Sequence, residues 1–294
     1  MRAFAPSQPE NRPKISPDRS RGRPDGSNLR PMRPLVMGVL NVTPDSFSDG
    51  GLYLDPQRAL ERGLQMVAEG ADVIDVGGES SRPGAEPVSE ADECRRVLPV
   101  IEALSAHVRV SVDTVKPVVA EAAVAAGATL VNDISATLWP VAASHGVGWV
   151  AMHMRGTPAT MQDDPRYVDV VAEVRSFVLA RAREASEAGV SEVWIDPGIG
   201  FGKTGAQNLS LLHHLPELVG HGFSLMVGTS RKTFLGRLAP TADGQPAPVE
   251  DRLAGSLSTA TWAMLAGAAM VRVHDVAPTV QAATLVGQTR LVSA

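Results

Sequence analysis

Cysteine is nearly missing from this chain of 294 residues: Cys94 stands alone. No internal disulfide can form, and no CxxC or Cys/His cluster offers a zinc site. An excess of positive charge is missing too. The formal net charge is −5 at pH 7, which leaves no broad basic face and argues against nucleic acid as a partner. No apolar run reaches the ~18 residues of a membrane span, so a membrane is not expected as a partner and the expected compartment is the cytoplasm. No GxGxxG opens a helix after a strand, which leaves a dinucleotide fold unsupported. The segment GIGFGKT (198–204) ends like a phosphate-binding P-loop, but Pro197 stands where that motif requires its first glycine.

Residues 1–33 differ from the remainder. They are rich in Pro, Arg, Ser and Gly, carry eight Lys/Arg against three acids, and show no apolar periodicity. The expectation is a disordered tail without a catalytic role, followed by one domain over residues 34–294. The tail also lacks the apolar core of a secretory signal. Translation from Met32 or Met37 is an alternative.

From residue 35 onward, short β-branched runs alternate with longer amphipathic ones. Strands are expected at 35–40, 73–76, 108–112, 130–132, 149–152, 193–195, 224–227 and 270–273, and helices at 55–69, 89–106, 117–126, 168–188, 206–219, 250–266 and 278–291. Ser89, with Asp92 three residues later, reads as a helix N-cap. Gly70, Gly127, Gly189 and Gly267 each stand where a helix gives way to a strand, the place for a left-handed C-terminal residue. The joints AEGADVID, AAGATLVND, EAGVSEVWID and LAGAAMVRVHD echo one another, as repeated βα units would. Eight such units close into a (β/α)₈ TIM barrel, an α/β fold. A doubly wound open sheet is the competing architecture.

In such a barrel the C-terminal strand ends converge on one mouth. The residues there are Asn41, Gly77-Gly78-Glu79, Asp113, Asn132-Asp133, His153, Asp196, Lys232, and Arg272 with His274. One polar strand end is unremarkable; one after every strand describes a polar cavity. Arg272 and His274 lie two apart, hence on one face of a strand. Taken singly, Asp113 or Asp196 would read as a helix N-cap.

The segments MGVLNVTPDSFSDGG (37–51) and DVGGESSRPGAEPVS (75–89), then SVDT, VND, MHMRGTPATMQ, IDPGIGFGKT, GTSRKTFLG and VRVHDV in that order, resemble the dihydropteroate synthases, a family of pterin-binding enzymes. The resemblance covers residue 35 to the C-terminus. It implies transfer of a dihydropterin from its diphosphate to p-aminobenzoate, giving dihydropteroate for folate. It implies that Asp113, Asn132, Asp196 and Lys232 bind the pterin, and that Asn41, Arg272 and His274 bind the diphosphate, with Mg²⁺ held through Asn41. By the same resemblance Pro44, Phe47, Ser81, Arg82, Pro83, Phe201, Lys232 and Thr233 form the p-aminobenzoate site, and Asp45, Arg82, Lys232 and Arg272 serve the chemistry. The expected assembly is a homodimer, and sulfonamides are the expected competitors of p-aminobenzoate.

The chemistry agrees with these assignments. A pterin presents an amide N–H and an amino group side by side, and one carboxylate accepts both. Asn132 donates and accepts together. Loss of diphosphate needs leaving-group stabilisation more than a strong base. The Gly-, Ser- and Pro-rich stretches 41–51 and 77–84 are expected to fold over the mouth and exclude water. One departure stands out. After Asn132-Asp133-Ile134-Ser135 the family has a Gly-Gly pair and a longer segment, whereas this chain reads ATLWPVAASHG, which leaves the fourth helix in doubt. The alternatives are a non-catalytic pterin-binding paralogue and a pterin-dependent methyltransferase on the same barrel.

Overall fold

A computed structural model describes residues 33–43, 56–81 and 86–292 of the chain. Its strands are β1 (Leu35–Asn41), β2 (Val73–Gly77), β3 (Arg109–Asp113), β4 (Leu130–Asp133), β5 (Gly148–Met152), β6 (Val193–Asp196), β7 (Ser224–Val227) and β8 (Met270–Val273). All pair in parallel in sequence order, and β8 closes on β1. The helices are α1 (Pro56–Ala68), α2 (Glu90–Ser105), α3 (Pro117–Ala125), α4 (Trp139–His145), α5 (Val170–Glu187), α6 (Gly205–His213), α7 (Thr233–Leu238), α8 (Leu253–Leu265) and α9 (Val276–Val292). This is the expected (β/α)₈ barrel, with the short α7 as an addition that periodicity did not announce.

Strand alternation places the site. One face of each strand points into the barrel. Met37, Val73, Leu130, Val150, Trp194, Met226 and Met270 meet there as a buried plug. On β3 the register puts Arg109 beside Val73, and its guanidinium grips Glu192 through two bonds of 2.8 and 2.6 Å. Two residues further along each strand, the same face carries Val39, Asp75, Ser111, Asn132, Met152, Asp196, Gly228 and Arg272. An apolar plug thus supports a polar floor.

The opposite strand faces pack under the helices in a second apolar layer, including Val97, Ile101 and Leu104 of α2. Each such buried Leu, Ile or Val contributes about 1.5–3 kcal/mol. Gly63 of α1 lets this layer close, because a Cβ there would stand 2.7 Å from Leu104. Gly70, Gly127, Gly189 and Gly267 all have positive φ, between 98 and 112°, as their helix-ending role requires. The Ser89 side chain caps α2 by accepting from the Asp92 N–H at 3.1 Å.

Two expected helices differ. The stretch 206–219 breaks after His213, and a 3₁₀ turn, Leu215–Leu218, follows because Pro216 has no N–H for the helical ladder. The doubtful fourth helix forms as one of seven residues, with Pro140 in the first turn where no N–H is needed. Asp133 organises the shortened loop before it. Its carboxylate accepts from the backbone of Ser135 (2.8 Å), Thr137 (2.7 Å) and Leu138 (2.6 Å), and from the Trp149 indole (3.2 Å). Ala136 is held in the left-handed region at φ 55°, fully buried.

Candidate active site

The floor of the mouth is an ion network. Arg272 donates from Nε to Asp75 Oδ2 and from Nη2 to Asp113 Oδ2, each at 2.6 Å, while Asn132 Nδ2 donates to the same Asp75 oxygen at 2.9 Å. Asp75 is fully buried, and the Asp113 side chain is 15% exposed. Among the described residues Asp75 Oδ1 and Ser111 Oγ are buried without a partner. Such acceptors are costly unless something supplies donors.

Electrostatics follow from this crowding. Burial pushes Asp113 up to about 7, with Arg272 pulling it down and Asp75 adding to the rise. Burial also raises Asp196, against the pull of Lys232 and of the Gly198 N–H, which donates to Asp196 at 2.7 Å. Lys232 is brought down to about 8 by burial, opposed by Asp196. For Arg272, burial acts downward, but Asp75 and Asp113 more than reverse it, and the guanidinium is held charged.

Neither Asp113 nor Asp196 caps a helix. Lys116 stands at the cap position of α3, and Thr204 caps α6 with a reciprocal Gln207 bond. Both carboxylates are therefore free of the commonest structural duty of a loop aspartate.

A cavity of about 500 Å³ opens over the β2–β5 side of this floor. Ser80, Ser81, Asp113, Ile134, Ser135, Met152, Met154 and Phe177 are among its walls, a mixed apolar and polar lining. That is the shape of a small-molecule site for a flat, partly polar ring. On the β6–β7 side, Lys232 Nζ stands 4.4 Å from the Phe201 ring centroid and donates to the Ile199 carbonyl. Thr233 is exposed at the first residue of α7. Asn41 and His274 end neighbouring strands, since β1 and β8 pair with Met37 opposite Arg272. Ser230 Oγ accepts the His274 N–H at 3.1 Å and also lies 3.1 Å from its Nδ1.

The structure therefore gathers Asp113, Asn132, Asp196, Lys232 and Arg272 at one mouth, with Ser81 on the cavity wall. Pro44, Asp45, Phe47, Arg82 and Pro83 lie outside the described residues, as do 44–51 of the first stretch, 82–84 of the second, and residues 1–32. Arg272 is engaged by two carboxylates of the floor, a placement that the two-residue spacing to His274 did not reveal. Asp75 is the residue that reading the strand ends missed. Its signal was a lone acid in the middle of the buried strand VIDVG, two residues after an inward-facing valine.

The comparisons agree with the geometry. The pterin binding enzyme family profile matches residues 37–274. The dihydropteroate synthase of Mycobacterium leprae (strain TN) is 49% identical over 261 residues, covering 86% of this chain and 92% of the relative. The Yersinia pestis dihydropteroate synthase, solved with a sulfonamide drug complex, superposes with a TM-score of 0.81 at 43% identity, covering 88% of this chain and 95% of that one. The Xanthomonas albilineans dihydropteroate synthase, solved with 4-aminobenzoic acid, gives 0.80 at 46% identity, covering 89% and 94%. The chain belongs to the pterin-binding enzymes, among the dihydropteroate synthases.

Proposed function

We propose that the chain joins p-aminobenzoate to 6-hydroxymethyl-7,8-dihydropterin diphosphate, releasing diphosphate and 7,8-dihydropteroate, and that the mouth just described performs it. The observation that carries this reading is the buried floor of Asp75, Asp113, Asn132, Asp196 and Arg272 at the barrel mouth, with a cavity opening beside it at Asp113. Asp196 accepts the paired pterin donors, and Asp113 and Asn132 take the ring edge beside it. Lys232 donates to a ring acceptor. Arg272 bonds to Asp75 and Asp113 and anchors the floor, so carboxylate oxygens are presented to a pterin methylene that becomes electron-poor as its C–O bond to diphosphate breaks. The aniline nitrogen then bonds to that carbon and gives up a proton. The Xanthomonas albilineans neighbour was solved with 4-aminobenzoic acid, which supports placing Ser81, Phe201, Lys232 and Thr233 around that substrate. Pro44, Phe47, Arg82 and Pro83, outside the described residues, are assigned to the same substrate, and Asp45 and Arg82 to the chemistry, on the resemblance alone. By the same reasoning a sulfonamide, the class bound to the Yersinia pestis neighbour, competes for the p-aminobenzoate place.

Asn41, Arg272 and His274 take the diphosphate at the adjoining ends of β1 and β8. Among the described residues no cluster of three metal-binding side chains exists, and Asn41 offers a single neutral oxygen beside side-chain-free Gly77. That donor set fits Mg²⁺, which keeps waters and substrate oxygens around it and needs only one or two protein ligands. Bound there, it would neutralise leaving-group charge.

The homodimer belongs to the same proposal. Trp262 and Leu265 of α8 and Leu285 of α9 are 40, 61 and 70% exposed, on helices that pack together. No helix among the described residues is long and apolar enough to cross a membrane, which suits action in the cytoplasm. Residues 34–294 form the single pterin-binding domain of this proposal. Neither a methyltransferase nor a non-catalytic paralogue is favoured by any feature of the mouth. Mixing both substrates and measuring diphosphate tests the proposal: release that needs p-aminobenzoate and a divalent cation supports it, and no release from folded protein refutes it.

A further inference from the structure

Lysine is scarce, with four in the whole chain against 23 arginines. Lys116, Lys203 and Lys232 fall among the described residues, and all three are withdrawn from solvent at the barrel mouth. Lys116 is paired with Glu79 and Glu93, and Lys232 faces the site. Lys203 is 3% exposed and bonds to no carboxylate. Its Nζ instead reaches His153 Nδ1 (3.0 Å) and the carbonyls of Gly198 (2.9 Å), Phe201 (2.9 Å) and His153 (3.3 Å). A buried ammonium without a counter-ion is an expensive way to fill space.

What it holds is the loop between β6 and α6. Gly198, Gly200 and Gly202 all have positive φ (65, 85 and 63°), alternating with Ile199 and Phe201. The loop is wedged tightly: a Cβ on Gly198 would stand 1.9 Å from the His153 carbonyl oxygen, and one on Gly200 would stand 2.8 Å from Lys232 Cδ. Two lysines thus fasten one loop. Lys203 takes the carbonyls of Gly198 and Phe201, while Lys232 takes the carbonyl of Ile199 and the Phe201 ring. Further ties run from the Tyr167 hydroxyl to the Gly202 carbonyl (2.8 Å) and from Gln162 to the Gly200 carbonyl (2.9 Å).

We propose that Lys203 is a positioning residue for the p-aminobenzoate half of the site: its ammonium templates the 198–203 loop so that Phe201 and Lys232 meet the second substrate in register. The proposal rests on the assignment of Phe201 and Lys232 to that substrate. Asp196 precedes the loop on β6 and accepts the Gly198 N–H, so the pterin half shares one end of the loop and should feel its loss less than the p-aminobenzoate half. Burial and the neighbouring Lys232 bring Lys203 down to about 7, in keeping with a group kept for its geometry at an electrostatic cost.

The test compares Lys203→Met with Phe201→Leu in the full chain. Lys203→Met keeps the stem and removes the donors. The KM for p-aminobenzoate rises roughly tenfold or more, since small displacements of positioning groups carry such costs, while pterin affinity by calorimetry falls by a clearly smaller factor. Unchanged values for both substrates, or equal losses for both, would overturn the proposal. Should Lys203→Met fail to fold, Lys203→Gln retains two donors and is read in its place, with a smaller rise and the same split between substrates expected, and no split counting against the proposal. If Phe201→Leu leaves the KM for p-aminobenzoate unchanged, the half-site assignment itself has failed. If Phe201→Leu raises it and the Lys203 variants do not, only the role of Lys203 has failed.

Discussion

Both ends of the barrel interior hold an arginine clamped by carboxylate, and the two clamps differ in how completely they are satisfied. At the bottom, Arg109 grips both oxygens of Glu192, one of which also accepts the Trp194 indole at 2.7 Å. These side chains are 30 and 39% exposed. Burial acts to raise Glu192, but Arg109 and Trp194 outweigh it and the carboxyl sits low. At the mouth, Arg272 divides itself between two carboxylates, leaves Asp75 Oδ1 without a partner, and lets Asp113 rise to about 7. The bottom clamp is closed upon itself and serves stability. The mouth is under-supplied with donors, and a pterin edge supplies donors. Function here is read from what the fold leaves unsatisfied.

Removing each arginine breaks the comparison most sharply. Arg272→Ala strands Asp75 and Asp113 together. Breaking a buried pair costs about 3–5 kcal/mol of stability, and kcat/KM of the variant that still folds should fall steeply. Pterin and diphosphate affinity should both suffer, because Arg272 sits in the floor and is proposed to take the diphosphate as well. Loss of diphosphate affinity alone in calorimetry would show that the floor does not need it.

The pH response sharpens the contrast. Asp113 gains a proton as pH falls through about 7, and Lys232 loses one as pH rises through about 8. If, as proposed, pterin binding needs Asp113 ionised and Lys232 charged, affinity should peak between these values and weaken on either side. Asp113→Asn should flatten the acid limb. An acid limb that survives in Asp113→Asn would assign the titration to another group.

Arg109→Ala gives the smallest effect. A half-exposed pair contributes about 1 kcal/mol or less, so the melting temperature should drop by roughly 2–4 °C with kcat/KM unchanged. A large activity loss in a folded Arg109 variant would mean that the two ends are coupled.

How much of this was legible beforehand follows physical lines. Strands and long helices are local features, and the glycines at 70, 127, 189 and 267 mark their joints because only φ above zero turns the chain there. The fourth helix, seven residues with Pro140 inside it, is too short to show a period. Residues at strand ends could be read because the barrel brings every end to one mouth. Asp75, in mid-strand, was overlooked although strand alternation alone points it inward. Lys203 could not be found from the sequence, since its partners, His153 and the loop carbonyls, are assembled only by the packing of β5 beside β6.

The account's central claim is that the unsatisfied carboxylate floor holds the pterin, with Asp196 as its principal acceptor. Calorimetric titration of the wild type, Asp196→Asn and Asp113→Asn with the pterin alone measures this directly. A neutral amide cannot accept two donors without opposing one of them, and an unpaired buried donor costs about 1–3 kcal/mol. Asp196→Asn should therefore lose roughly one to two decades of affinity, and Asp113→Asn less. Unchanged pterin binding in Asp196→Asn would contradict the account.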